Sequence, residues 1–166
     1  MSDRMINVLF ICTGNSARSI MAEALLNDMA KGRFKAFSAG SHPAGDVSPM
    51  AIDLLKANGI DVTGLRSKNW AEFAAPDAPA LDFVITVCDK AAGEVCPSWS
   101  GQPITVHWGV EDPLMVVGTE AQKRKAIGDV FRILNRRVSL FTCLPIHKVD
   151  TLSLKRDVAE IGRVVD

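Results

Sequence analysis

A cysteine and an arginine lie six positions apart near the start of the chain, in the segment Cys12-Thr13-Gly14-Asn15-Ser16-Ala17-Arg18-Ser19. The apolar run Ile6–Ile11 leads into this segment, and a helical pattern, Ser19–Lys31, leads out of it. Strand, short loop and helix in this order form an anion cradle, because loop N–H groups and the helix N-terminus converge on one point. An oxyanion is therefore predicted to bind the loop residues Thr13, Gly14, Asn15, Ser16, Ala17 and Arg18.

The thiol of Cys12 is expected to be the nucleophile of this loop. A thiolate is itself an anion, so an electropositive loop favours it over the thiol. Arg18 can hold two oxygens of a tetrahedral oxyanion at once. The segment thus offers an activated sulfur aimed at a bound oxyanion. The alternative, a buried structural cysteine beside a surface arginine, is disfavoured by the strand and helix around the loop.

Composition narrows the class of protein. The length of 166 residues and the 48% hydrophobic content predict one globular domain with a real core. Lys and Arg number 19, as do Asp and Glu, so the balanced charge argues against a nucleic-acid partner. No apolar run is long enough to span a membrane, and the N-terminus lacks a signal-peptide core. We expect a cytoplasmic protein without membrane attachment.

Strand and helix patterns alternate along the chain. Strands are predicted at Ile6–Ile11, Phe34–Ser38, Phe83–Val87 and Ile104–His107. Helices are predicted at Ser19–Lys31, from Ser48-Pro49 to Asn58-Gly59, briefly at Trp70–Phe73, from Thr119 to Pro145, and at Asp150–Val165. Ala91–Cys96 fits either helix or loop. The alternation indicates an α/β fold: one open, four-stranded parallel sheet with helices on both faces, plus a C-terminal helical extension.

We expect the α/β catalytic domain to span residues 1–145 and the extension, residues 146–166, to pack on it. Ligands of an open parallel sheet bind beyond the carboxyl ends of its strands. Cys12 follows the first strand and Cys88 follows the third, so the two sulfurs share one edge if these strands are neighbours. Cys96 lies eight residues further on. Three thiols near one site suggest thiol–disulfide exchange, although Cys88 could instead be a core residue.

The fourth cysteine, Cys143, lies among apolar residues and is expected in the core. No cysteine or histidine spacing indicates a metal site. The loop after the fourth strand ends in Glu111-Asp112-Pro113 and should reach the same edge. A carboxyl group there could protonate a leaving oxygen, and Asp112 is favoured over Glu111 for this role. His107 is expected to be structural.

Together these motifs resemble the arsenate reductases built on the low-molecular-weight tyrosine phosphatase fold. The resemblance runs from Ile6 to about Phe141 and rests on the Cys12–Ser19 loop and several shorter segments. These are Ser38–Pro43, Pro49 with Ala51, Gly59–Asp61, Ser67-Lys68, and His107-Trp108-Gly109 through Asp112-Pro113. Cys88 and Cys96 match the extra redox cysteines of such reductases. The phosphatases usually carry aromatic residues after Asp-Pro, where this chain has Leu114 and Met115 and no tyrosine at all.

The resemblance implies a reaction and a role for each residue. Cys12 attacks arsenate, Arg18 and the loop hold the oxyanion, Ser19 supports the thiolate, and Asp112 protonates the departing hydroxide. Cys88 then attacks Cys12 and releases arsenite, and Cys96 moves the disulfide outward. The resemblance also suggests that the ammonium of Lys68 replaces a potassium ion that some relatives bind beside the loop.

The same resemblance implies an external thiol reductant, either thioredoxin or glutaredoxin with a low-molecular-weight thiol, and no tightly bound cofactor or metal. Phosphate and sulfate would compete with arsenate. Two alternatives stay open at this point. One is a low-molecular-weight phosphatase that hydrolyses phosphomonoesters through Cys12 and needs neither Cys88 nor Cys96. The other is a non-catalytic regulatory domain that binds a partner and merely retains the loop.

Overall fold

A computed structural model describes residues 5–88 and 97–165 of the chain. Its four strands are β1 (Ile6–Cys12), β2 (Phe34–Gly40), β3 (Phe83–Thr86) and β4 (Ile104–His107). They form one open parallel sheet in the order β2-β1-β3-β4. Its α-helices are α1 (Arg18–Met29), α2 (Pro49–Ala57), α3 (Glu120–Thr142) and α4 (Thr151–Ile161), with 3-10 turns at Trp70–Phe73 and Pro113–Met115. The predicted α/β fold class is confirmed.

The sheet order brings the two candidate sulfur positions together. Strand β1 lies between β2 and β3, and Ile11 is in register with Thr86. Because both strands run in the same direction, Cys12 and Cys88 emerge at the same edge. The residues of β1 from Val8 to Ile11 are fully buried, which is typical of an inner strand covered on both faces.

Side-chain caps begin three of the four described α-helices. The Ser48 hydroxyl accepts a hydrogen bond from the N–H of Ala51 at 3.4 Å, with Pro49 in the first turn of α2. Thr119 and Gln122 form a reciprocal capping box at the start of α3. The carboxylate of Asp150 caps α4. The helix starts predicted from Ser48 and Thr119 are thus confirmed, and α1 differs because Ala17 gives it no side-chain cap.

The C-terminal helix packs on the sheet through one apolar stripe. Leu154, Val158 and Ile161 are buried, and α4 lies against β4. The division of the chain into two parts at residue 145 stays a prediction. The segment 91–96, expected to be helix or loop, lies outside the described residues, and so does Cys96.

The placement predicted for Cys143 is wrong. Its side chain is exposed, one residue beyond the end of α3. The buried stripe of that helix runs through Leu134, Val138 and Phe141. Successive helical residues are about 100° apart, so a residue two positions after Phe141 points away from that stripe. Within residues 5–88 and 97–165, no helix has the length and apolar character needed to cross a membrane.

Gly40 at the end of β2 offers a test of how tightly the sheet holds the Cys12 loop. A Cβ atom on Gly40 would lie 2.5 Å from the carbonyl oxygen of Thr13, which is backbone and cannot swing away. We expect Gly40→Ala to lower the free energy of unfolding by about 1–3 kcal/mol, as overpacking does. Urea denaturation measures this change.

Gly128 within α3 is the matched control for Gly40. No atom would lie within 4 Å of a Cβ added at Gly128. Gly128→Ala should therefore raise the free energy of unfolding by up to about 1 kcal/mol through helix propensity alone. If Gly40→Ala proves as stable as Gly128→Ala, the close approach between β2 and the loop is not real.

Candidate active site

Cys12 is the last residue of β1, and the loop after it leads directly into α1 at Arg18. The Cys12 sulfur lies 2.9 Å from the Ser19 hydroxyl and 3.2 Å from the backbone nitrogen of Asn15, which donates to it. The Asn15 side-chain amide donates to the same hydroxyl at 2.8 Å. This leaves the hydroxyl hydrogen of Ser19 free to donate to the sulfur. Hydrogen bonds donated to sulfur stabilise its anionic form.

The loop turns its carbonyl groups outward, away from the sulfur. These carbonyls accept hydrogen bonds from the segment after β2 and from Ser67. The pairs are Cys12 O with Ser41 N, Thr13 O with His42 N, Gly14 O with Ala44 N and Ser67 Oγ, and Ser16 O with Ser48 N. With the carbonyl oxygens held on the outside, the loop N–H groups are left to face an anion. This arrangement supports the predicted oxyanion cradle.

Asn15 is the residue that bends the loop. It has a backbone φ of +47° and is completely buried. Asparagine tolerates this left-handed conformation better than most residues. Its side-chain oxygen accepts from the backbone N–H of Lys68 at 2.9 Å, while its amide holds Ser19. Asn15 was predicted only as an anion-binding loop residue, and its side chain instead supports the loop from behind.

Arg18 reaches from the start of α1 to the loop after β4. One guanidinium nitrogen donates to the carbonyl oxygen of Val110 at 3.0 Å, and another lies 3.4 Å from a carboxylate oxygen of Asp112. The other carboxylate oxygen of Asp112 accepts from the backbone N–H of Leu114 at 3.0 Å. The Asp112 side chain is one-third exposed, so it meets both the guanidinium and solvent. Glu111 is exposed.

Cys88 lies at the same edge of the sheet, two residues after the end of β3. It is buried, and its sulfur lies 3.2 Å from the hydroxyl of Thr13, the neighbour of Cys12 in sequence. The structure therefore brings Cys12, Arg18, Ser19, Cys88 and Asp112 to one edge of the sheet. Cys96, the remaining predicted site residue, falls outside the described residues.

A charged pair lies behind the loop, formed by the partly buried Glu23 on α1 and the buried Lys68. The Lys68 ammonium donates to the carbonyl oxygen of Arg66 at 2.8 Å and lies 3.5 Å from the Ser38 hydroxyl and 3.9 Å from the Glu23 carboxylate. Burial lowers the pKa of Lys68 and raises that of Glu23, in each case because a charge is costly to remove from water. Replacement of a potassium ion by this ammonium stays a prediction.

Sequence reasoning missed Glu23 and the carbonyl of Val110. Glu23 lies within an ordinary helical pattern, and a backbone carbonyl carries no sequence signal. His107, expected to be structural, lies 2.7 Å from the Thr86 hydroxyl through its Nδ1. In the described part of the chain, no three histidine, cysteine, aspartate or glutamate side chains group as metal ligands would.

Comparison with known proteins gives close relatives. An arsenate reductase of Halalkalibacterium halodurans is 34% identical over 134 residues, covering 81% of this chain and 93% of that protein. The crystal structure of an arsenate reductase from Archaeoglobus fulgidus aligns with a TM-score of 0.60 and 32% identity, covering 80% of this chain and 98% of that one. The thioredoxin-dependent arsenate reductase of Corynebacterium glutamicum gives a TM-score of 0.56 and 28% identity, covering 84% of this chain and 65% of that one.

The family match covers the sheet, the Cys12 loop and the loop that carries Asp112. Residues 7–141 match the family described as low molecular weight phosphotyrosine protein phosphatase. The match ends just before the end of α3 and leaves α4 outside it. On this match and the shared fold, the chain belongs to the low molecular weight phosphotyrosine protein phosphatase family.

Proposed function

We propose that this protein is an arsenate reductase, which converts arsenate to arsenite with electrons from thiols. The observation that carries the proposal is the second thiol at the loop. The Cys88 sulfur lies 3.2 Å from the hydroxyl of Thr13, beside Cys12, and both cysteines are buried at the same sheet edge. Hydrolysis of a phosphate ester needs only one cysteine, whereas two-electron reduction needs a second sulfur within reach. The arsenate reductases among its relatives support the same conclusion.

The first step uses the loop as an anion cradle. The loop N–H groups bind the oxyanion. The Arg18 guanidinium leaves its contacts with Val110 and Asp112 and donates hydrogen bonds to two oxygens of the oxyanion. The Cys12 thiolate, stabilised by Ser19 and the Asn15 N–H, attacks arsenic. Asp112 gives its proton to the departing hydroxide, which leaves as water. The product is a sulfur–arsenic(V) adduct on Cys12.

The second step reduces arsenic. The Cys88 thiolate attacks the Cys12 sulfur, and a Cys12–Cys88 disulfide forms as the sulfur–arsenic bond breaks. The electron pair of that bond stays with arsenic, which leaves as arsenite in the +3 state. The two sulfurs are oxidised by two electrons in total, so the step balances.

Recovery of the enzyme requires an external thiol. Cys96 attacks Cys88 and frees Cys12, and the resulting Cys88–Cys96 disulfide is reduced from outside. A small dithiol redox protein of the thioredoxin kind fits this role, because the Corynebacterium glutamicum relative is thioredoxin-dependent. Glutaredoxin with a low-molecular-weight thiol is the other candidate reductant.

The surface beside the acid differs from one suited to aryl phosphates. Leu114 and Met115 follow Asp112-Pro113 and are 44% and 75% exposed. Both are aliphatic and offer no aromatic face on which a phenyl ring could stack. Inorganic arsenate needs no such face, so this surface favours reduction of a small oxyanion.

Replacing Cys88 separates reduction from hydrolysis. Cys88→Ser should abolish steady-state arsenite production with a thiol reductant, because no sulfur then resolves the adduct on Cys12. Any slow hydrolysis of p-nitrophenyl phosphate without reductant should persist, because it needs only Cys12, Arg18 and Asp112. The exposed Cys143 gives the control, and Cys143→Ser should keep both activities. Full reductase activity in Cys88→Ser would exclude the relay and favour direct attack on Cys12 by an external thiol.

Replacing the carboxyl group of Asp112 tests its role as the acid. Asp112→Asn should lower the rate of arsenite formation by roughly 10²–10⁴-fold, the usual contribution of general acid catalysis. Phosphate should still bind and should still protect Cys12 from iodoacetate, because the loop is unchanged. The neighbouring Glu111→Gln is the matched control and should keep the wild-type rate. The opposite pattern, with Glu111→Gln slow and Asp112→Asn fast, would move the acid to Glu111.

A further inference from the structure

The C-terminal segment beyond the family match contacts the loop that carries Asp112. The side chain of Trp108, the first residue after β4, donates from its indole nitrogen to the carbonyl oxygen of Val158 in α4 at 2.8 Å. Val158 lies in the last turn of that helix, where carbonyl groups lack helical partners, so the indole caps the helix end. Trp108 and Val158 are both completely buried.

Gly162, just after α4, brings the two segments into close contact. A Cβ atom at Gly162 would lie 2.6 Å from the carbonyl oxygen of His107 and 2.9 Å from the ring of Trp108. Contact this close leaves no room for a side chain. The end of the extension is therefore fitted to the start of the acid loop, which we define as residues 108–112.

Arg137 of α3 joins the extension to the acid loop. Its guanidinium donates to the carbonyl oxygens of Trp108 at 2.9 Å, Gly109 at 3.2 Å and Val164 at 2.8 Å. The residue is only 2% exposed, and burial lowers its pKa. Among the described residues it has no carboxylate within ion-pair distance, so its charge is balanced by carbonyl dipoles. A buried cation is costly to leave without such partners, which fixes those carbonyl groups firmly.

The remaining acid-loop contacts lead directly to the candidate active site. The N–H of Val110 donates to the carbonyl of Val87 next to Cys88, and the carbonyl of Val110 accepts from Arg18. Two residues later Asp112 meets the same guanidinium. A shift of Trp108 and Gly109 would thus move the backbone that places Asp112 against the oxyanion.

We propose that Arg137 and the C-terminal segment 150–165 are positioning elements of the active site, which hold the acid loop so that Asp112 reaches the leaving oxygen. Neither touches the oxyanion, and both act through Trp108 and Gly109. The proposal rests on the proposed function only in taking Asp112 as the acid. On this proposal, the segment outside the family match affects the rate of the reaction as well as packing on the sheet.

A double-mutant cycle with Asp112 tests this proposal. The variants are Arg137→Met, which removes the donors and keeps much of the volume, and Asp112→Asn, alone and combined. Arg136→Met is the matched control, because Arg136 is the exposed neighbour and carries the same charge. Two quantities are measured: the single-turnover rate of arsenite formation, and the Kd of inorganic phosphate from its protection of Cys12 against iodoacetate.

We expect Arg137→Met to slow arsenite formation by about 10- to 100-fold, the cost of a misplaced catalytic group. The Kd of phosphate should change by less than about twofold, and Arg137→Met should have no further effect on the rate in the Asp112→Asn background. Arg137→Lys, which keeps a cationic donor, should recover part of the rate. Arg136→Met should behave as wild type. Equal rate losses with and without Asp112, or a weaker phosphate Kd that accounts for the loss, would overturn the proposal.

Gly162→Ala probes the contact from the extension side. It pushes on the carbonyl of His107 and should show the same dependence on Asp112, so it decides the question if Arg137→Met does not fold. Failure of the proposed function would look different. Wild-type protein would then make no arsenite at all, and the same cycle would be judged on the rate of p-nitrophenyl phosphate hydrolysis, in which Asp112 protonates the leaving phenolate.

Discussion

The polarity of one backbone loop is the constraint on which the rest of the site depends. The carbonyl oxygens of the Cys12 loop are bound on its outer side by the segment after β2, so its N–H groups face inward. That geometry requires Asn15 to adopt a positive φ and requires a residue without a side chain at Gly40. An anion held in the loop, or the thiolate itself, completes hydrogen bonds that the fold has already oriented.

The order of the parallel strands places the other described candidate site residues at the same edge of the sheet. Strands β1 and β3 are neighbours, so the sulfurs of Cys12 and Cys88 lie at one edge of the sheet. Strand β4 is the next strand of the sheet, and the loop after it lies at the same edge. In that loop Asp112 forms an ion pair with Arg18. A reductase needs a second thiol, at the position of Cys88, in addition to the nucleophile and the acid. The same frame would serve a phosphatase without it.

The sequence predicted several structural features that depend on residues close together in the chain. The loop between β1 and α1, the caps at Ser48 and Thr119, and the apolar stripe of α3 all follow from residue type and spacing, and the structure confirms them. Long-range pairing was less accessible. The ion pair of Glu23 with Lys68 depends on which elements pack together. The same is true of the hydrogen bonds from Arg137 to the acid loop and to Val164, and no local pattern reveals either.

Reduction of arsenate by the protein's own thiols is tested most directly by counting thiols and arsenite in a single turnover. Fully reduced protein is mixed with one equivalent of arsenate and no reductant, and its disulfides are then mapped by mass spectrometry. We predict one arsenite released for every two thiols lost, with Cys88 in the new disulfide and Cys143 unchanged. Retention of all four thiols with no arsenite formed would contradict it.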